Sequence, residues 1–173
     1  MPALHIRAAQ PGDRDVIRDV TLAAYSEYAA HMLPPFWELY RENILATLAD
    51  VSPAEQFVAE HAGAIVGTVL LYPPRRFSEA EHGITLNMPW PEVRLLAVLP
   101  AARGRGVGAA LMQDCVRRTR QSGIRVLSLH TTDFMEAAMR MYERMGFVRA
   151  PELDFSPAPG VTIKGYTLAL IGK

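Results

Sequence analysis

The run LLAVLPAARGRGVGAALM, residues 95–112, constrains this chain more than any other stretch. Five apolar residues in succession, without polar alternation, read as a strand buried on both faces. Pro100 ends that strand. A tight loop follows with Arg103, Gly104, Arg105, Gly106 and Gly108, and helical spacing begins directly behind it. Glycines at a strand-to-helix turn let the backbone approach a ligand with no Cβ in the way. Successive N–H groups and the positive end of the helix then favour an anion, and two arginines add full charges. A phosphate or pyrophosphate suits such a cradle.

Three phosphate-bearing ligands compete for it. A nucleoside-triphosphate loop needs GxxxxGK[ST], and no lysine or Ser/Thr follows the last glycine. A dinucleotide loop needs G-x-G-x-x-G/A, which Gly104, Gly106 and Ala109 satisfy. That loop, however, sits late in the chain, and His130-Thr131-Thr132 stand where an acidic residue is expected. The third ligand is coenzyme A.

The remaining pattern predicts an α/β layered domain. Leu4 to Ala8 reads as a first strand, and Asp13 as the N-cap of a helix running towards Ala30. A second helix spans Phe36 to Ala49, with Leu39, Ile44, Leu45 and Leu48 apolar. Gln56 to Glu60 and Ala64 to Tyr72 form a hairpin across His61-Ala62-Gly63. Pro73 to Pro91, with four prolines, reads as a long excursion, and Glu92 to Leu99 as the central strand. The helix after Gly106 turns Ala109, Ala110, Met112, Cys115 and Val116 inward, carries Arg117, Arg118 and Arg120 in its last turns, and closes at Gly123. Arg125 to His130 is a further buried strand. Asp133 and Glu136 have capping-box spacing for a helix from Phe134 to Met145, closed by Gly146. Phe147 to Phe155 and Val161 to Leu170 complete the sheet.

Bulk properties narrow the function. At 173 residues the chain suits one domain over residues 1–173, and 50% hydrophobic with 21% charged residues is a globular balance. Lys plus Arg and Asp plus Glu number 18 each, so no net field steers nucleic acid or an anionic membrane, and neither is an expected partner. No signal peptide or spanning run is legible, which makes the cytoplasm the expected compartment. Cys115 stands alone and reads as a small core residue. His5, His31, His61 and His82 lack ligand spacing, so no metal is expected. His130 at a strand end reads as structural.

Arg103-Gly104-Arg105-Gly106-Val107-Gly108 resembles the Q/R-x-x-G-x-G/A motif of the GNAT superfamily of N-acetyltransferases. Ala138 to Phe147, AMRMYERMGF, is similar to that family's A-x-x-x-Y-x-x-x-G-F segment, and one helix plus one strand separates the two motifs as the family has it. The resemblance is detailed over Glu92 to Val148. It implies a mixed, mostly antiparallel sheet of six to seven strands flanked by about four helices. It also implies acetyl transfer from acetyl-CoA, as cosubstrate, to a primary amine on a small molecule or peptide.

Cofactor contacts fall by the same resemblance on Leu96, Ala97, Val98, Arg103, Gly104, Arg105, Gly106, Val107, Gly108 and Ala109. The backbone amides of Leu96 to Val98 would hold the carbonyl where the strand splays from its neighbour. Glu92 stands where several members place a catalytic base. Tyr142 holds the position of the acid that protonates the leaving thiolate, on an inward stripe of Met135, Ala138, Met139, Tyr142 and Met145. Met135 departs from the asparagine that contacts the pantetheine arm in many members. The first two helices, with Tyr25, Tyr28, Phe36, Trp37 and Tyr40, together with Trp90 and the Pro73 to Pro91 segment, are candidate acceptor walls, and a homodimer is compatible. A non-catalytic CoA-sensing domain on the same fold is the alternative function.

Overall fold

The computed structural model describes residues 3–79 and 84–170; His82, with no ligand spacing in the sequence, lies outside them. The chain gathers into two compact units, one of Met1–Leu71 with Leu95–Cys115, the other of Tyr72–Arg94 with Val116–Lys173.

The first unit opens with strand β1, His5–Ala8, helix α1, Arg14–Tyr25, and helix α2, Pro34–Ala49. The expected first helix stops at Tyr25, and a 3-10 stretch, Ser26–His31, completes it. Asp13 does not cap α1. Its carboxylate accepts the Gln10 N–H at 2.7 Å and the Arg7 guanidinium at 2.6 Å, tying the turn to β1. Leu39, expected inside, is 54% exposed, while Ile44 is fully buried.

Strands β2, Glu55–His61, and β3, Ala64–Tyr72, pair antiparallel through a two-residue turn. Ala62 and Gly63 both have positive φ, 52° and 78°, as a type I′ turn requires. β1 pairs antiparallel with β2. Phe57, Val58 and Ala59 are all buried, so this strand is covered on both faces.

In the second unit, the stretch read as an irregular excursion holds two strands, β4, Arg75–Glu79, and β5, Ile84–Met88, paired antiparallel. Its flanking prolines lie outside the ladder, which is why proline content misled the reading. Strand β6, Glu92–Val98, begins in this unit and continues into the first. Helix α3, Val107–Gln121, likewise runs between the two stretches of chain. Its buried side is Val107, Leu111, Met112, Cys115 and Thr119; Ala109, Ala110 and Val116 are half-buried. The inward stripe is therefore set by the residue that leaves the glycine loop, a phase that composition alone did not give.

Strand β7, Val126–Thr131, runs antiparallel to strand β10, Val161–Ala169. Between them in sequence lie helix α4, Glu136–Arg144, and strands β8, Val148–Arg149, and β9, Phe155–Ala158. The single expected strand from Phe147 to Phe155 is thus broken by a 3-10 turn, Pro151–Leu153. The capping box does not form either: Asp133 pairs with Lys164, and α4 starts behind Met135. Gly146, at φ 93°, ends α4 as expected. Strand order is β1-β2-β3-β6-β7-β10-β8 with β9 on β10; the β6–β7 pair is parallel and the other registered pairs are antiparallel. This is the expected mixed, mostly antiparallel sheet, with four helices among the described residues.

Candidate functional site

The first unit carries the glycine-rich loop. Gly104 and Gly106 have φ of 73° and 78°, a region that a residue with a Cβ enters only under strain. A Cβ built on either glycine meets nothing within 4 Å, so the loop's outer side is open. Ala110 makes its bond to the Gly106 carbonyl at 2.9 Å, leaving the amides of Val107, Gly108 and Ala109 ahead of that bond at the positive end of α3. Arg105 is exposed beside them. Arg103 is engaged differently: its guanidinium donates to Glu27 at 2.6 Å and to the Ala24 carbonyl at 3.2 Å, and so anchors the loop to the end of α1 and the turn behind it.

Gly67 on β3 explains how that helix end is seated. A Cβ there would lie 3.0 Å from the Ala97 carbonyl, 3.0 Å from Val107 and 3.1 Å from Leu111. Strand β3 therefore runs close beside β6 and close beneath the first turns of α3.

Strand β6 departs from the ordinary pattern of a central strand. Its parallel register with β7 comprises Glu92↔Ser128 and Val93↔Leu129. Leu95 then takes φ 48°, rare for a residue other than glycine and a recognised form of strain near functional sites. Leu95, Leu96 and Val98 are only half-buried, although the sequence reads as fully covered strand, while Ala97 is buried. Accessible apolar surface here fits the aliphatic arm of an acyl carrier. The loop and this strand together suit coenzyme A: open amides and a guanidinium for the diphosphate, half-exposed leucines for the arm.

In the second unit Glu92 is the centre of an ionic cluster. It is 3% exposed, so burial and not solvent surrounds its carboxylate. Nδ1 of His130 lies 2.7 Å from its Oε1, and Arg75 on β4 donates to Oε2 at 2.6 Å. Burial alone pushes the Glu92 carboxyl up; the hydrogen bond and field of His130, then the charges of Arg94 and Arg75, outweigh it and hold it below the ordinary carboxylate value. His130 is fixed in turn by the Leu153 carbonyl, 2.9 Å from Nε2, and by an edge contact with Phe155 at 5.4 Å.

Tyr142 is buried on α4, with Phe147 5.9 Å away between ring centres. The inward stripe of this helix is as expected, since Glu136, Arg140, Glu143 and Arg144 are exposed while Met135, Ala138, Met139 and Met145 are half-buried. Just before it, the hydroxyls of Thr131 and Thr132 are buried without a hydrogen-bond partner among the described residues. In the first unit, Tyr25 contacts Tyr28 at 5.7 Å and Tyr40 at 6.1 Å, with Trp37 6.3 Å from Tyr40. Cys115 is fully buried. Among the described residues no group of three or more His, Cys, Asp or Glu side chains is placed to hold a metal, and no helix is long and apolar enough to cross a membrane.

Arg75 is the residue that sequence reasoning missed. It lies 17 positions from Glu92, in the segment taken as irregular, and no spacing rule links the two. The Glu92–His130 contact, across 38 positions, was equally invisible until β6 and β7 were paired.

The model of the Acetyltransferase (GNAT) family matches residues 17–147. A mycothiol acetyltransferase of Cellulomonas flavigena is 27% identical over 164 residues, covering 91% of this chain and 44% of that protein, so the chain spans less than half of that relative's length. An acetyltransferase of the GNAT family from Staphylococcus aureus superposes with a TM-score of 0.72 at 16% identity, over 98% of this chain and 100% of that one. A GNAT family acetyltransferase from Brucella melitensis, solved in complex with acetyl-CoA, superposes with a TM-score of 0.64 at 24% identity, over 99% and 91%.

Proposed function

Because this chain belongs to the acetyltransferase (GNAT) family, we propose that it transfers an acetyl group from acetyl-CoA to a primary amine by direct attack. Acetyl-CoA supplies an activated thioester; every other demand falls on side chains and amides of this protein. The observation that carries the reading is the loop from Arg103 to Gly106, whose two left-handed glycines open onto the first-turn amides of α3.

Val107, Gly108 and Ala109 would donate their N–H groups to the diphosphate, with Arg105 adding charge and Gly104 and Gly106 leaving room. Arg103 contributes by holding the loop in place through Glu27. Leu96, Ala97 and Val98 would line the arm and offer amides to the carbonyl oxygen as it gains charge.

An alkyl amine has a pKa of about 10.4 and is mostly protonated at neutral pH, so it must lose a proton before or during attack. Glu92 stays ionised throughout that range and each of its oxygens retains a free lone pair. It would take the amine proton through an ordered water, and its negative charge would steady the cation forming on nitrogen. Tyr142 would return a proton to the departing sulfur.

Thermal melting tests the reading. Acetyl-CoA at about 100 times its Kd should raise Tm by roughly 5–10 °C, whereas ATP and NAD should not. Gly106→Glu places bulk and negative charge in the diphosphate seat and should abolish the shift. A protein that melts identically with and without acetyl-CoA would overturn the proposal.

A further inference from the structure

Tyr72, Arg75, Glu92 and Arg94 form a cluster in the second unit with more positive charge than the acidic partners among the described residues balance. The Arg75 guanidinium stacks 3.9 Å from the centre of the Tyr72 ring, and that of Arg94 lies 5.7 Å from the same centre. Glu92 is the carboxylate they share. It is bonded to Arg75 and His130, and Arg94 acts on it through its field. The acidic side chains that follow β7 and β8, Asp133 and Asp154, are committed to Lys164 and Arg149. Nη1 of Arg75 is buried and has no hydrogen-bond partner among the described residues. Buried guanidinium N–H groups left without an acceptor are costly, and among the described residues two arginines face one carboxylate, one anion short of balance.

We propose that Arg75, through Nη1, and Arg94 bind a carboxylate of the acceptor, which makes the acceptor a free amino acid. A planar guanidinium fork matches a carboxylate in shape and charge. The spacing narrows the class further. One face of the Arg75 fork already holds Glu92, so a carboxylate on the other nitrogen sits within a single side chain's breadth of the proposed base. An amine served by Glu92 through one water is then only a few carbons from that carboxylate, as in a free amino acid. A peptide N-terminus, which has no carboxylate at that distance, fits poorly. This inference rests on the reading that Glu92 serves the acceptor amine.

The test uses the full chain with CoA present, the twenty protein amino acids and β-alanine, and for each the carboxamide and the decarboxylated amine. Binding is read by thermal shift, and turnover with acetyl-CoA by release of free thiol. At least one amino acid should bind and be acetylated with kcat/KM about 10- to 100-fold above its amide. Arg94→Gln should raise KM for that amino acid about 10-fold or more and shrink the acid-over-amide ratio, while the CoA-induced shift persists. Arg75→Gln removes a buried ion-pair partner, so Arg94→Gln is the variant that decides. If CoA raises Tm but amides or decarboxylated amines serve as well as the acids, if no amino acid binds, or if Arg94→Gln keeps the ratio, the subsite is wrong and acetyl transfer stands. If CoA gives no shift, the underlying reading fails and the subsite with it.

Discussion

The role we propose for Tyr142, 6% exposed on the inward side of α4, rests on one oxygen atom. Tyr142→Phe keeps the ring and its contact with Phe147, so acetyl-CoA affinity should stay near that of the parent while turnover falls about 100-fold, within the usual range for a lost acid. Stopped-flow or steady-state kinetics beside a CoA titration separates the two; undiminished turnover removes the phenol from the mechanism. At this scale the sequence was informative about identity and silent about surroundings. The loop glycines stood out by their spacing, while Glu92 and Tyr142 were assigned by resemblance to the family. The partners of Glu92 were not, because Arg75 and His130 reach it only through strand pairing and a hairpin arm, and neither leaves a periodic trace in the chain. Arg103 shows the converse limit: its charge was legible, but its commitment to Glu27, 76 positions away, was not.

Helix α3 and the strand beneath it behave as one element with the loop. Gly67 is where they meet, and Gly67→Ala would put a methyl against the Ala97 carbonyl, which cannot yield, and against Val107 and Leu111, which can only move outward with the helix. Overpacking of this kind costs about 1–3 kcal/mol. The expected outcome is a lower Tm together with weaker CoA binding, because the displaced turn carries the amides of residues 107–109. Loss of stability with unchanged CoA affinity would mean that the helix end does not seat the ligand. Elements with strong local signals were read well: β3, the start of α3 after the glycines, and the Gly123 and Gly146 stops. Those depending on long-range partners were not. The Asp133 capping box lost to Lys164, the 73–91 stretch folded into a hairpin, and the strand after Phe147 was interrupted where Pro151–Leu153 turns and offers Leu153 to His130.

For the molecule as a whole, equal numbers of acidic and basic residues conceal strongly paired sites. Asp154 takes both nitrogens of Arg149, at 2.9 and 2.7 Å, and the Gly165 N–H at 2.8 Å; the Arg149 bond chiefly holds its carboxyl below the usual value. Asp13, bonded foremost to Arg7, is lowered in the same way. A carboxyl depressed by folding stabilises fully above its unfolded pKa, about 3.9, and that contribution disappears as pH falls through the lower folded value. Asp154→Asn should therefore cost on the order of 1 kcal/mol at pH 7, and its deficit relative to the parent should shrink near pH 3. Urea unfolding at both pH values checks this, and an equal deficit at each would contradict it. Strand β6 has a further consequence. Glu92 and residues 96–98 are carried on one strand of seven residues, so a residue inserted or deleted between them would turn every following side chain to the opposite face. The Ala62–Gly63 turn can gain a residue by lengthening a hairpin, but β6 has no such slack. Insertions and deletions accumulating among related chains should flank this strand and spare its interior.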